Sequence, residues 1–406
     1  METNAIADPT VQQADQPSGR VWLSRLMITD FRSYDLAEVH CDHRPVVLTG
    51  PNGAGKTNLL EAISLLAPGR GLRQVKLSDI ARRNAACGKP GSGPFAWAVA
   101  ADVATPTGPR RLGTGSEGGE DGRRERRLIR VDDAPARGQQ AFSEILSIVW
   151  LTPQMDGLLR EGASGRRRFL DRLVFGLDPT HASRVSAYEH SLRERARLLK
   201  SGNHDGDWLT SLEDSMARHG VAIAAARRDL ISRLTHLANH EVGPFPGANL
   251  ALKCEVVEWL DEQPALVAED RLRERLAVGR GQDEVVGGAS VGSHRSDLVV
   301  HHRAKQMPAH LCSTGEQKAL LIAITLAFAR LLSRSRGAAP LLLLDEVVAH
   351  LDDERRRALF EEIVALGVQA WMTGTDETLF AGLGEQAQFF QIREAKVVPT
   401  RAASVQ

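Results

Sequence analysis

Eight residues, Gly50-Pro51-Asn52-Gly53-Ala54-Gly55-Lys56-Thr57, fit the spacing G-x-x-x-x-G-K-[ST]. Each constrained position has a physical use. Glycines let successive backbone N–H groups curl around one anionic oxygen cluster. A lysine at this point reaches the β- and γ-phosphates of a nucleoside triphosphate, and the hydroxyl after it is a hard oxygen ligand for Mg²⁺. The flanks agree. Pro45-Val46-Val47-Leu48 reads as a buried strand, and Asn58 to Leu66 has helical apolar spacing. A helix starting there adds roughly half a positive charge at its first turn. A bare glycine turn before a core helix would not require all of these constraints together.

Three more segments suit the same ligand. Leu341-Leu342-Leu343-Leu344 is an apolar strand ending in Asp345-Glu346. An Asp at the tip of a buried strand can hold Mg²⁺, and the Glu beside it can polarise an attacking water. Alone, such a strand is equally a core strand running into a loop; the Lys56 loop tips the balance. Ser313-Thr314-Gly315-Glu316-Gln317-Lys318 opens an apolar helix, Ala319 to Leu332. Ser313 and Glu316 form a capping-box pattern. Gly315 in the first turn weakens a helix by about 1 kcal/mol relative to Ala, which makes sense if a phosphate must approach the backbone closely. Ala349-His350-Leu351-Asp352 then makes a turn, with Asp352 as the N-cap of a helix from Asp353 to Leu366.

The rest of the chain must position these groups. It has 406 residues, room for about two to three domains. The 51 basic and 51 acidic residues cancel, so bulk charge does not point to nucleic acid. The four cysteines (Cys41, Cys87, Cys254, Cys312) form no C-x-x-C pair, which argues against zinc and disulfides and suits a reducing cytosol. The first twenty residues are polar and lack an apolar h-region; they read as a disordered tail, not a signal peptide. The longest apolar stretch, Ala319 to Ala329, is too short to span a bilayer, so no membrane partner is expected. Val21 to Asp35 reads as one or two strands. Gly88 to Gly122 reads as turns between short strands, Phe95 to Ala100 among them, and Arg127 to Val131 as another strand. Gly165 to Leu199 reads as helical. Asp207 to Val242 reads as one helix or two, since Gly220 interrupts it. Asn249 to Trp259 reads as a strand and Pro264 to Val278 as a helix.

Taken together, these elements resemble the ABC-type ATPases: Gly50–Thr57 as Walker A, Leu341–Glu346 as Walker B, Ser313–Lys318 as the signature and Ala349–Asp352 as the D-loop. More narrowly, the chain resembles the RecF family of recombination-mediator ATPases in the SMC-like branch. Leu26 to Tyr34 resembles its F-R-x-Y segment, Trp150 to Asp156 with Gly165 to Asp171 its R-R-x-F-L-D block, and Gly292 to Leu298 its G-P-H-R-D-D-L block. The resemblance runs from about Val21 to about Val397. The expected fold is an α/β ABC-type P-loop core, a mixed sheet with helices plus an antiparallel β subdomain, carrying an inserted, mainly helical lobe. The expected division is a tail over 1–20, core over 21–153, helical arm over 154–287 and core again over 288–406.

The resemblance implies a composite site for ATP and Mg²⁺. One copy supplies Gly50, Pro51, Asn52, Gly53, Ala54, Gly55, Lys56, Thr57 and Asn58, with Arg32 from the F-R-x-Y segment and Gln154 at the Q-loop position. Thr57, Asp345 and Gln154 hold the metal, and Lys56 and Glu346 are catalytic. Another copy supplies Ser313 and Gly315, with Asp352 in the D-loop. It also implies an ATP-dependent homodimer acting in the cytoplasm on single-stranded, gapped or junction DNA, in recombinational repair and replication, with RecR, RecO and RecA as partners. The arginines at 123, 124, 126 and 127, 166–168, 193, 195 and 197, and 227 and 228 are the basic clusters that such DNA would meet, although a charge run is more often a solvated face. There are departures. The signature reads S-T-G-E, Glu346 stands where many relatives have Asp, and Ser293 and Ser296 break the G-P-H-R-D-D-L pattern, so that block receives no role. No histidine follows His350; Thr373-Gly374-Thr375-Asp376 occupies the place of a switch histidine, so fast hydrolysis is not expected. A transporter ATPase, a small-molecule kinase and a cohesin-like structural protein are the rival classes. The helical lobe is too short for long coiled-coil arms.

Overall fold

A computed structural model describes residues 19–82, 97–117, 126–202 and 205–400. Most of the expected tail, Cys87, Phe95, Ala96, Arg123 and Arg124 lie outside the described residues.

The central sheet has six strands in the order Lys396–Thr400, Gln388–Arg393, Val46–Thr49, Ala370–Gly374, Leu341–Leu344 and Ile148–Leu151. All neighbours are parallel except the antiparallel edge strand Lys396–Thr400. Parallel strands buried on both faces must be apolar throughout, hence the unbroken Val46–Leu48 and Leu341–Leu344 runs. Alternation sends Val46, Leu48, Leu341, Leu343 and Trp371 to one face and Val47, Leu342, Leu344 and Met372 to the other. The first face packs on a six-stranded antiparallel sheet, ordered Tyr34–His40, Trp22–Phe31, Trp97–Thr105, Gly108–Glu117, Arg126–Val131 and Ala134–Pro135. The second packs on the helices Thr314–Arg336, Ala163–Leu177 and Gly206–Ala238. The expected α/β core with an antiparallel subdomain is present. The short strands expected before Gly122 are instead one long hairpin, Trp97–Thr105 with Gly108–Glu117.

One other expectation needs correction. Asn249 to Trp259 is not one strand: Ala248–Lys253 is, pairing with Asp297–His302, and Glu255–Glu262 is a helix. Val256, Val257 and Trp259 fall on one buried helical side, and Glu255 and Glu258 complement the first-turn dipole. Of the two readings left open for Asp207 to Val242, the single helix is the one present: Gly206–Ala238 runs unbroken for 33 residues through Gly220. Packing overrides the propensity penalty, because a Cβ at Gly220 would come 2.9 Å from the buried Tyr188 ring. Gly220→Val is therefore expected to cost about 1–3 kcal/mol by overpacking, read as a lower urea midpoint. An unchanged midpoint would show that this contact yields freely.

Candidate nucleotide-binding site

In parallel sheets, the loops leaving the C-terminal strand ends share one edge, where ligands bind. Here Val46–Thr49 leads into Gly50, Leu341–Leu344 into Asp345, Ile148–Leu151 into the Pro153–Met155 turn, and Ala370–Gly374 into Thr375.

The loop needs its glycines. Gly50 has φ 148° and a Cβ there would lie 2.3 Å from the Ile392 carbonyl oxygen. Gly55 has φ 113°, and a Cβ would meet Tyr34 Oη at 2.7 Å. The helix Lys56–Ser64 starts without a side-chain cap and without an acid in its first turn. Its first N–H groups and dipole are thus left for an anion. Lys56 is buried and donates from Nζ to the carbonyls of Gly50 (2.7 Å) and Pro51 (2.9 Å). Burial lowers its pKa, while the carboxylates of Glu346 and Asp345 oppose that shift.

The two halves of the site meet directly. Thr57 Oγ1 donates to Asp345 Oδ1 at 2.9 Å across 288 residues of chain. Asp345 N–H is anchored to the Leu151 carbonyl at 2.9 Å, which sets the acidic pair beside the turn carrying exposed Gln154. Two hard oxygens converge at Thr57 and Asp345, and no group of three or more His, Cys, Asp or Glu among the described residues is placed to hold a metal by itself. That donor set fits Mg²⁺, which is bound through one or two carboxylates plus substrate phosphates.

Other candidates sit around this centre. Asn58 donates to Ser33 Oγ (2.9 Å) and accepts from Arg73 (2.9 Å). Arg32 forks onto the buried Glu61 at 2.9 and 2.6 Å and donates to the Asp79 carbonyl, so its guanidinium is held beside the loop by protein acceptors. Asp352 caps Asp353–Leu366 through the Arg355 N–H at 2.8 Å. Ser313 caps Thr314–Arg336 in a complete capping box. Ser313 and Gly315 are exposed, and a Cβ at Gly315 would meet nothing within 4 Å. The glycine is therefore not demanded by this chain's own packing. Among the described residues, no hydrogen bond or ion pair joins Ser313–Lys318 to Gly50–Asn58. Sequence reasoning gave no role to Glu61, Tyr34 or Thr373. The visible signal for Thr373 was a hydroxyl ending an apolar strand.

The basic clusters fare differently. Arg195 is fully buried, held by Glu213 (2.9 Å), Asp283 (2.8 Å) and the Leu276 carbonyl. Arg227 is buried on Asp171, with two 2.8 Å bonds. Arg127 is tucked against the Gly69 and Leu65 carbonyls, its pKa pushed down to about 10 by burial. Arg166 pairs with Asp297, Arg193 with Glu189, Arg197 with Glu194 and Arg228 with Asp261. Arg167 donates to the Ser296 carbonyl. Arg126 and Arg168 are exposed. Of the basic clusters that DNA would meet, Arg195 and Arg227 are therefore withdrawn, because a cation sealed inside the protein cannot face a phosphate backbone, whereas Arg126, Arg168, Arg193 and Arg197 stay on the surface. The Gly292–Leu298 block has a structural part in this. Ser293 bonds the Gly220 carbonyl, His294 bonds Tyr188 Oη at 2.7 Å, and Ser293 O and Ser296 Oγ both receive Arg227.

Comparison with known proteins concerns the chain as a whole. Residues 22–396 match the family model described as the RecF/RecN/SMC N terminal domain. A Rhizobium etli protein named DNA replication and repair protein RecF is 47% identical over 380 residues, covering 93% of this chain and 99% of its own. A Mesorhizobium japonicum protein of the same name is 47% identical over 385 residues, covering 94% and 98%. A solved structure of the recombination mediator protein RecF with ATP, in the RecFOR pathway, superposes with TM-score 0.76 at 21% identity over 94% of this chain and 99% of that one. An SMC head domain from Pyrococcus furiosus gives 0.52 at 15% identity over 94% and 96%. The low-identity structures carry the fold, and the long alignments at 47% identity carry the kinship: the chain belongs to the RecF family of DNA replication and repair proteins.

Proposed function

We propose that this chain is an ATP-driven clamp of recombinational DNA repair, which pairs with a second copy around two nucleotides and hydrolyses ATP slowly. The observation that carries it is the 2.9 Å contact between Thr57 and Asp345, which assembles the glycine loop and the acidic strand end into one site. Loop N–H groups and the uncapped helix bind the phosphates, and Lys56 exchanges its two carbonyl partners for phosphate oxygens. Mg²⁺, when bound, would neutralise charge on the transferred phosphoryl group. Glu346 accepts the proton of the attacking water. Ser313 and Gly315, exposed on a capped helix start, close over the terminal phosphate held by the neighbouring copy. ATP then favours pairing through its differential affinity for the closed state; about 4 kcal/mol shifts the equilibrium roughly a thousandfold.

The DNA-repair role and the partners RecR, RecO and RecA rest on family membership. Gapped or junction DNA is the proposed target, bound through backbone contacts, so affinity should fall by about one log–log unit per phosphate neutralised. A cytoplasmic setting suits that role; no helix among the described residues is long and apolar enough to cross a membrane.

The test is light scattering with ATP, with ADP, and with gapped DNA across a salt series, using Lys56→Ala as the control for nucleotide dependence. ATP but not ADP should double the mass. Ser313→Arg should retain ATP binding while weakening pairing at least about a hundredfold, since it places a bulky cation between two surfaces. Normal pairing by that variant sinks the composite site.

A further inference from the structure

Thr373 is fully buried at the end of Ala370–Gly374, the strand between those leading to Gly50 and to Asp345. Its Oγ1 lies 2.8 Å from Asp345 Oδ1 and 2.9 Å from the backbone nitrogen of Glu346. The peptide N–H of Glu346 can only donate, so the single hydroxyl proton points to the carboxylate. The same Asp345 oxygen takes the Thr57 hydroxyl at 2.9 Å. Glu346 has φ 53°, a region that non-glycine residues occupy only when surroundings over-determine them. The bond to Thr373 is such a constraint, applied to the peptide nitrogen of the strained residue itself.

We propose that Thr373 is a positioning residue for ATP hydrolysis: one hydroxyl pins the Asp345 carboxylate toward Thr57 and holds the Glu346 backbone in its left-handed turn. This rests on the ATPase reading above. With the hydroxyl gone, the two acids lose their common reference point. Asp345 can turn away from Thr57, and Glu346 can relax out of its turn and swing from the phosphate.

Two variants separate this from simple packing. Thr373→Val keeps the shape and removes the hydroxyl; Thr373→Ser keeps the hydroxyl and removes a methyl. For Val, kcat should fall about ten- to a hundredfold, the usual scale for losing a hydrogen bond to a charged group, with KM for Mg-bound ATP rising about tenfold, since KM tracks affinity when turnover is slow. Affinity for a fluorescent ATP analogue in EDTA should match wild type, while the gain on adding Mg²⁺ should shrink about tenfold. Ser should recover kcat to within about threefold. The proposal is overturned if Val turns over like wild type, if Ser is as impaired as Val, or if Val loses affinity equally with and without Mg²⁺. Wild-type turnover by Lys56→Ala, in contrast, would remove the ATPase reading itself.

Discussion

Glu346→Gln is expected to lower ATP turnover by about 10²- to 10⁴-fold, the range a general base contributes, with ATP affinity changed only a few-fold. Glutamine keeps the shape and the Glu346 N–H bond to Thr373, so the backbone should hold its φ of 53°. It loses the negative charge and the ability to take a proton at neutral pH. That charge is felt at Lys56, where the Glu346 carboxylate opposes the fall in lysine pKa caused by burial. Under the proposed clamp mechanism, binding and chemistry should therefore separate: the loop and Lys56 still hold phosphate, and the proposed pair of copies should stay closed because the terminal phosphate is not released. Single-turnover hydrolysis combined with a competitor chase from gapped DNA measures both. The mutant should dissociate more slowly from DNA by a factor comparable to its loss in turnover. Equal turnover in mutant and wild type means that another group is the base.

Asp171→Ala is expected to cost about 3–5 kcal/mol of stability, because removing one partner of a buried ion pair strands the other. Asp171 accepts two bonds from Arg227 and one from His181, all at 2.8 Å. Burial raises the Asp171 carboxyl pKa, but Arg227 and the His181 hydrogen bond outweigh it and hold it at about 2, against 3.8 ordinarily. The sign of the pH effect follows. A depressed folded pKa contributes stability that is complete above the unfolded value and is lost as pH falls through the folded one. Wild type should therefore lose this contribution between about pH 4 and pH 2, and the variant should show a flatter curve over that window. Urea midpoints at pH 7, 4 and 2.5 provide the check. If the alanine variant matches wild type at pH 7, the network does not brace the helices.

That network also explains the basic clusters. Arg227 connects Ala163–Leu177 to Gly206–Ala238 and to the Ser293–Ser296 turn, while Arg195 joins His181–Lys200 to Gly206–Ala238 and Asp283. In the helical lobe Arg195 and Arg227 are paired inside, while Arg193 and Arg197 stay exposed in surface pairs. Any nucleic-acid surface must use the exposed cations, Arg126, Arg168, Arg193 and Arg197 among them.

What the chain declares locally, it declares well. The glycine loop, the capping box at Ser313 and the Asp352 cap lie within spans of a few residues, so spacing alone specifies their geometry. The continuous Leu341–Leu344 run could be placed as a doubly buried strand for the same reason. What spacing cannot specify is which distant group a side chain meets. Thr373 finds Asp345 28 residues away, Arg32 finds Glu61 after 29, and Arg195 finds Asp283 after 88. Gly220 leaves one helix or two open because its propensity is local, whereas the Tyr188 ring that needs the space comes from another helix. The chemistry of the nucleotide site was thus written into short stretches of sequence. Its alignment, and the burial of charges that looked free, came from long-range packing, where a partner's identity depends on the whole fold.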